Sequence, residues 1–303
     1  MRKQYSLTKE HACALFGKTR QGYDKVHKVQ VDRAYREKKV LNSVNEIRDI
    51  DPGIGGYKLW LMAHDMFDEE WVPGRDSFYA ILRQRDLVLP KPKPRTTTNS
   101  NHRYHKYKNL IKDFKPKMSN ELWVSDITYI DLDGDCCYLH LVTDAYSHKI
   151  VGWCLAESLA AMFTLEALRI AIKQAGKDDL TGLIHHSGRG TQYCCNAYVE
   201  LLYRHNITIS MTEDYKPTDN GIAERVNGII KTELIYKVRQ FKNIKEAKAK
   251  IKEFIEFYNE RRPHMSIGYQ TPSEVHKQSG PQKKYWKKKV YSSKTNTFAS
   301  PDG

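Results

Sequence analysis

Apolar positions change their spacing near residue 120, and this change divides the chain into a helical part and a mixed part. Up to about residue 90 they recur at helical spacing and predict pieces of helix over residues 44–50, from Tyr57, and over 78–85, with a break at Asp51-Pro52-Gly53. We expect Asp76 or Ser77 to cap the third piece. Helix, break and basic helix is consistent with a helix-turn-helix. A small helical bundle with solvated charges fits the same pattern.

From Leu122 the period shortens to two, which predicts strands. Three antiparallel strands come first, over residues 123–130, 137–143 and 150–155, with a hairpin turn at Asp133-Gly134. Helices and strands then alternate: a helix over 160–175 closed by Gly176, a strand over 183–186, a helix from the cap Asn196 to about 205, a strand over 207–210, a helix from the cap Asp219 or Asn220 to about 236, and a helix over 245–259. This order predicts an α/β fold with a ribonuclease-H-like core, after a helical, helix-turn-helix-like N-terminal region.

Four segments follow from these patterns. Residues 1–90 form the helical region, 91–119 a basic linker rich in Pro and Thr, 120–275 the ribonuclease-H-like core, and 276–303 a basic tail. Alternating Pro and Lys in the linker favour an extended path whose cations either track phosphates or are simply solvated. The tail interleaves lysines with an aromatic residue, which suits nucleic-acid contact or a solubilising tail, at Lys283, Lys284, Trp286 and Lys287.

Charge narrows the class of partner. The 303 residues carry a formal net charge of +14 with a pI of about 9.3, which favours a polyanion, with DNA ahead of an anionic membrane surface. No apolar run approaches the roughly 20 residues of a spanning helix, and the N-terminus lacks an apolar signal core. The six cysteines form no C-x-x-C pair, so we expect reduced thiols and a cytoplasmic protein.

Three positions have the spacing of a metal-dependent phosphoryl-transfer site. Asp126 lies in the first strand, Gly188 follows the fourth, and Glu224 begins a late helix. Carboxylates at such positions would hold two divalent ions about 3.5–4 Å apart, which stabilise charge on both reacting oxygens. Taken singly, Asp126 fits an exposed edge strand and Glu224 fits a favourable position in the helix dipole. Lys231 shares the helix face of Glu224.

Several motifs, in order, resemble one family. They are Trp123-x-x-Asp126-Ile127-Thr128-Tyr129, His186-Ser187-x-Arg189-Gly190-x-Gln192-Tyr193, Asp219-Asn220-Gly221-x-Ala223-Glu224, Lys231-x-Glu233 and Tyr258-Asn259-x-x-Arg262-Pro263-His264. Together they resemble the integrase-core transposases of bacterial insertion sequences, of the second-frame (OrfB) type, over roughly residues 120–275. The helical N-terminal part resembles the helix-turn-helix segment of the same proteins less strongly.

The resemblance implies a DDE site with two Mg²⁺ or Mn²⁺ ions that cuts and rejoins DNA without a covalent protein–DNA intermediate. By position, Asp126 would bridge both ions, Glu224 would hold one, and Lys231 would contact a phosphate near the processed end. Arg189 would contact DNA or metal-bound water. The family's second aspartate falls at Gly188, so we expect severely reduced catalysis, from a natural change or an introduced one. Other acids are doubtful substitutes, namely Asp144, Asp214 and Asp219.

The same resemblance implies partners. These are DNA with terminal inverted repeats, target DNA, further copies of the chain in a homo-oligomer, and a DNA-binding segment encoded in an upstream frame; the location would be the bacterial cytoplasm, in association with the nucleoid. The main alternative is a non-catalytic, domesticated or inhibitory DNA-binding derivative of a transposase. A structure-directed nuclease on the same fold and a basic scaffold for RNA are further alternatives.

Overall fold

The computed structural model describes residues 8–67, 72–89, 104–133, 135–213, 220–238 and 240–281. Predictions for the residues between these ranges lie outside the described part. They concern most of the Pro-rich linker, the tail with Lys283, Lys284, Trp286 and Lys287, and single positions at Gly134, Asp214 and Asp219. In the described part, none of the helices is both long and apolar enough to cross a membrane.

Helices build the N-terminal part, as predicted, with different bounds. They are α1 (Lys9–Leu15), α2 (Arg20–Ile50), α3 (Gly56–Met66) and α4 (Arg75–Gln84). The expected short helix over 44–50 is only the end of the 31-residue α2, whose earlier turns are exposed and therefore carry no apolar signal. The expected capping by Asp76 or Ser77 is wrong, because α4 already begins after Gly74 and Asp76 lies in its first turn.

The second part contains the expected sheet. Its strands are β1 (Leu122–Leu132), β2 (Asp135–Asp144), β3 (Ile150–Ala156), β4 (Ile184–Ser187) and β5 (Thr208–Met211), in the order β3-β2-β1-β4-β5. The first three pair antiparallel, while β4 and β5 join parallel to β1 and to each other. This topology is the predicted ribonuclease-H-like core. It makes β1 the central strand, flanked on both sides.

Helices cover both faces of this sheet. They are α5 (Ala161–Ala175), α6 (Thr191–Cys194), α7 (Asn196–Arg204), α8 (Gly221–Ile229), α9 (Tyr236–Val238), α10 (Ile244–Glu260) and α11 (Pro272–His276), with a π-helix over Ile230–Ile235. Gly176 ends α5 in the left-handed region at φ 68°, as expected. Asn196 is the first residue of α7 and not its cap, because the short α6 precedes it and Cys195 takes the cap position.

Two apolar clusters fill the layers. On one face Trp123 packs with α5 and α7, and on the other Ile130 packs with α8, the π-helix and α10. The layer of α5 is held very close to β3, because a Cβ atom on Gly152 would lie 2.1 Å from the carbonyl oxygen of Ala167. A third cluster joins the N-terminal helices to the core through Phe257 of α10.

The linker interpretation needs correction for residues 104–119. They are not a solvated spacer: the backbone NH of Leu110 donates to the Ser210 hydroxyl of β5 at 2.9 Å, and the NH of Met211 donates to the Lys108 carbonyl at 3.3 Å. Unsatisfied groups on a sheet edge favour such cover. The described residues from about 104 onward therefore belong to the core. Whether α3 and α4 act as a helix-turn-helix stays a prediction.

Candidate active site

Asp126 lies in the middle of the central strand, so the edge-strand alternative is wrong. Its side chain projects to the face covered by α8, where the Asn227 amide donates to Oδ2 at 2.7 Å. The backbone NH of Ile127 donates to Oδ1 at 2.9 Å. Both carboxylate oxygens therefore have a donor, and the group is held in one orientation.

These donors do not balance the cost of placing a charge there. Burial raises the pKa of Asp126 above its ordinary value, although the two hydrogen bonds and the positive charge of Lys231 act in the opposite direction. A carboxylate in this state is short of positive charge. A cation bound at Asp126 would relieve the deficit.

Helix α8 brings the second candidate acid to the same place. Glu224 lies exposed in the first turn, and its pKa is raised by partial burial and by the negative charge of Asp126. The two carboxylates are thus near enough for the charge of Asp126 to disfavour the ionised form of Glu224. Repulsion between neighbouring carboxylates is characteristic of sites that bind a divalent cation between them.

Lys231 also reaches this face, although the helix changes its winding first. The π-helix begins at Ile230, and Lys231 lies over the ring of Tyr129 on β1, with its Nζ 4.6 Å from the ring centre. Burial lowers the pKa of Lys231, while Asp126 and Asp131 oppose the shift. A π-helical turn is frequent at functional sites, because it shifts the helix face by one residue.

Gly188 directly follows β4, whose residue Ser187 is paired with Ser125, the neighbour of Asp126. A Cβ atom built on Gly188 meets nothing within 4 Å, so the backbone has room for a side chain. The position expected for a second acid is therefore beside Asp126 and sterically open. As it stands, no group of three acidic, histidine or cysteine side chains suited to a metal occurs among the described residues.

The residues present fit a divalent cation only in part. Asp126 and Glu224 are hard oxygen donors of the kind that Mg²⁺ prefers, and the Oδ1 atom of the buried Asn227 has no hydrogen-bond partner. A two-ion site needs a further carboxylate, which Gly188 cannot supply. With Gly188 as it stands, these residues supply two carboxylates and one amide oxygen as candidate ligands.

Asp144 does not replace the missing acid. Its carboxylate is fully buried and accepts from the NH and hydroxyl of Ser147, at 2.8 and 2.7 Å, and from the NH of Asn120 at 2.8 Å. These contacts fix the turn after β2. Arg189 is partly buried beside Gly188. The pKa of Glu213 after β5 is lowered mainly by the hydrogen bond from Lys112, with a smaller contribution from the positive charge of Arg189.

Two supporting residues escaped the sequence interpretation. The sequence assigns no role to Asn227, and in the structure its side-chain amide donates to Oδ2 of Asp126. Asn220 occupies the cap position of α8 as expected, but its side-chain amide donates to the Ser125 carbonyl at 3.0 Å and does not cap the helix. The helix that carries Glu224 is thereby anchored to the strand that carries Asp126. The one signal in the sequence for the contact between Asn227 and Asp126 is the position of Asn227, three residues after Glu224.

Known proteins match the chain in the same region. A family model of the integrase core domain matches residues 116–217, and a second model of that description matches residues 205–272. The uncharacterized 31 kDa protein of insertion element IS600 from Shigella sonnei is 32% identical over 267 residues, which cover 86% of this chain and 96% of that protein. The chain belongs to the insertion-sequence DDE transposases. Another relative is a putative transposase of IS986/IS6110 from Mycobacterium tuberculosis, which is 34% identical to this chain over 165 residues.

The extent of these matches differs among the relatives. The mycobacterial match covers 54% of this transposase-family chain and 59% of that relative, somewhat over half of its length. Among solved structures, the HTLV-2 integrase catalytic core domain in complex with magnesium has a TM-score of 0.43 at 21% identity, over 52% of this chain and 97% of that one.

Proposed function

We propose that this chain is a DNA transposase of an insertion sequence, built for metal-dependent cleavage and strand transfer of DNA ends, in which Gly188 has severely reduced catalysis. One observation carries the proposal: Glu224 lies close enough to the buried Asp126 for the charge of Asp126 to raise the pKa of Glu224, and the position at Gly188 beside them is sterically open. The family membership and the net charge of +14 support DNA as the substrate.

The roles follow from the contacts of each residue. Asp126 and Glu224 would hold Mg²⁺ or Mn²⁺, and Asn227 would keep Asp126 oriented through its 2.7 Å hydrogen bond. Bound ions of this kind stabilise charge on the attacking and leaving oxygens of a phosphodiester. Lys231, positioned over Tyr129, would contact a phosphate of the DNA end. Arg189 would contact the DNA backbone next to the site.

The proposed partners are DNA carrying terminal inverted repeats, target DNA, and further copies of the chain, since two ends must be joined together. A DNA-binding segment from an upstream frame is a further proposed partner, and the bacterial cytoplasm, with the nucleoid, the proposed location. A second candidate function is a DNA-binding derivative without catalysis. Gly188 favours it, because the missing carboxylate affects catalysis and leaves the DNA-binding cations in place.

Placing an aspartate at position 188 tests both candidate functions. The variant Gly188→Asp is compared with the unmodified chain in a strand-transfer assay with Mg²⁺, on duplexes that carry the ends of the element found in the flanking DNA. We expect a gain of at least about 100-fold, since a metal ligand acts on the chemical step. Gly55→Asp is the matched control, because that position is equally open and lies outside the candidate site, at the cap of α3.

Each outcome separates the candidates. Efficient transfer by the unmodified chain would overturn the proposed loss of catalysis. DNA binding without transfer in Gly188→Asp would favour the non-catalytic derivative, and absence of DNA binding in every variant would overturn the proposal as a whole.

A further inference from the structure

Residues 104–118 form a basic tract at the sheet edge that the proposed active site does not use. Five lysines in this tract are exposed, against one acidic residue, and they are Lys106, Lys108, Lys112, Lys115 and Lys117. Aromatic and apolar side chains are exposed between them, with Tyr104 at 47% and Phe114 at 37%. Cations interleaved with aromatic side chains suit backbone contact and base stacking.

The tract is held in a fixed position by its inner side. Tyr107 packs on the core cluster of α5 and α7, and its hydroxyl is hydrogen-bonded to that of Tyr203 at 3.1 Å. The NH of Asn109 donates to the Glu213 carboxylate at 3.0 Å, and Ile111 packs on the cluster around Leu122. An extended segment anchored at every second residue presents the residues between these anchors to solvent.

This alternation sets the spacing of the lysines. Lys106 and Lys108 are both exposed on either side of the inward Tyr107, and residues two apart on an extended chain are roughly 6.6 Å apart. That separation is comparable with the distance between successive phosphates along one DNA strand. A row of cations that is already ordered binds phosphates without the loss of conformational entropy that ordering on binding would cost.

The row runs beside the candidate active site. Lys108 and Leu110 of the tract bond to β5, and β5 is the neighbour of β4, which Gly188 directly follows, so two strand spacings, or roughly 10 Å, separate this part of the tract from β4. The carbonyl of Lys117, further along the tract, accepts from the NH of Gly280 at 2.7 Å. The NH of Thr212 donates to the Ser187 carbonyl at 3.0 Å, which ties the end of β5 to the end of β4. The positive charges of Lys106 and Arg189 both act on the Cys194 thiol, so these two cations lie on the same side of the core.

We propose that the tract of residues 104–118 is a DNA-backbone track, which holds one strand of the duplex across the β5 edge while its end reaches the carboxylates. The inference rests on the proposed function and adds a surface to it. A purely structural role as an edge guard would also use lysines, since exposed lysines prevent edge-to-edge association of sheets. The two roles differ in what the loss of the lysines does to DNA binding.

The experiment replaces four lysines by glutamine together, at Lys106, Lys108, Lys115 and Lys117. Lys112 is kept because its Nζ lies 2.6 Å from Glu213. The control replaces four exposed lysines of α10, which packs near the opposite edge strand β3, at Lys245, Lys248, Lys250 and Lys252. Both variants lose the same net charge. Binding of a labelled 30-base-pair duplex, a length of roughly three helical turns, is measured by anisotropy over a range of salt concentrations.

We expect the tract variant to lose up to about 3.6 from the slope of log K against log salt, since each phosphate contact contributes about 0.9, and the α10 variant to keep its slope. Equal losses in both variants, or an unchanged slope with aggregation of the tract variant, would overturn the track. If the unmodified chain binds no DNA, the proposed function fails first. Lysine acetylation of the unmodified chain with and without DNA is the second measurement: protection of α10 lysines with reactive tract lysines also overturns the proposal.

Discussion

Two pairs of carboxylates, each with one member on the stretch of helix that runs from α8 into the π-helix, have different electrostatic surroundings. In the first pair, burial raises the pKa of Asp126, and burial together with the charge of Asp126 raises the pKa of Glu224. Glu233, in the π-helix that continues α8, accepts two bonds from the guanidinium of Arg262, at 2.6 and 2.7 Å, and lies 3.4 Å from the Lys58 ammonium.

In the second pair, the charge of Glu233 is balanced within the protein. Arg262 is 2% exposed and lies 3.6 Å from Asp51, so two acids face two cations, Lys58 being the other. Burial alone would raise the pKa of Glu233, but Arg262 outweighs it and the pKa is lowered. For Asp51, burial and the charge of Glu233 raise the pKa well above its usual value.

The difference separates architecture from chemistry. The cluster of Asp51, Lys58, Glu233 and Arg262 joins the end of α2 and the start of α3 to the core, and the approach is so close that a Cβ atom on Gly53 would lie 2.1 Å from the Cα atom of Glu233. The charge of Glu233 is satisfied within the protein by Arg262 and Lys58. At Asp126 burial outweighs the charge of Lys231, and under the proposed function a divalent cation would supply the remaining positive charge.

The largest effect that would test this comparison comes from breaking the closed cluster. Arg262→Met removes the main cation and leaves Glu233 buried with too little positive charge, so we expect a loss of about 3–5 kcal/mol in the free energy of unfolding. Denaturant unfolding measures it. The neighbouring Arg261 is exposed, and Arg261→Met is the matched control, with an expected change within about 0.5 kcal/mol. Similar losses in both variants would show that the cluster is not what joins the two parts.

The elements around Asp126 and Glu224 could be predicted from the sequence better than the cluster of Asp51, Lys58, Glu233 and Arg262. The strands with period two and the order of elements could be predicted, because they depend on local spacing. The assignment of Gly188 to the place of a second acid stays a prediction. The pairing of Asp51 with Arg262 could not be predicted, since it joins residues from opposite ends of the chain. Most of α2 could not be predicted, because its exposed turns have no apolar period. The hydrogen bond between Leu110 and Ser210 could not be predicted either, because a basic, Pro-rich context is typical of linkers.

A matched pair of glutamates gives a smaller and sharper test. Glu233→Gln weakens the two bonds to Arg262 and should cost about 2 kcal/mol, a value typical of bonds to a charged group. Glu224→Gln removes an exposed charge that Asp126 repels, so the free energy of unfolding should stay within about 0.5 kcal/mol or rise. Both variants are compared by denaturant unfolding in EDTA. A loss at Glu224 equal to that at Glu233 would contradict the view that its charge is reserved for a cation.

The smallest expected effect concerns the metal itself. If Gly188→Asp completes a site with a dissociation constant on the order of 1 mM, 10 mM Mg²⁺ should add about 1.4 kcal/mol of stability, because the ion binds only the folded state. The unmodified chain has two carboxylates and should gain less than about 0.4 kcal/mol, as expected for a constant of 10 mM or weaker. Gly55→Asp carries the same added charge away from the site and should respond like the unmodified chain. Equal gains in all three proteins would mean that Mg²⁺ acts by general screening, and the deficit at Asp126 and Glu224 would then need no resident cation to explain it.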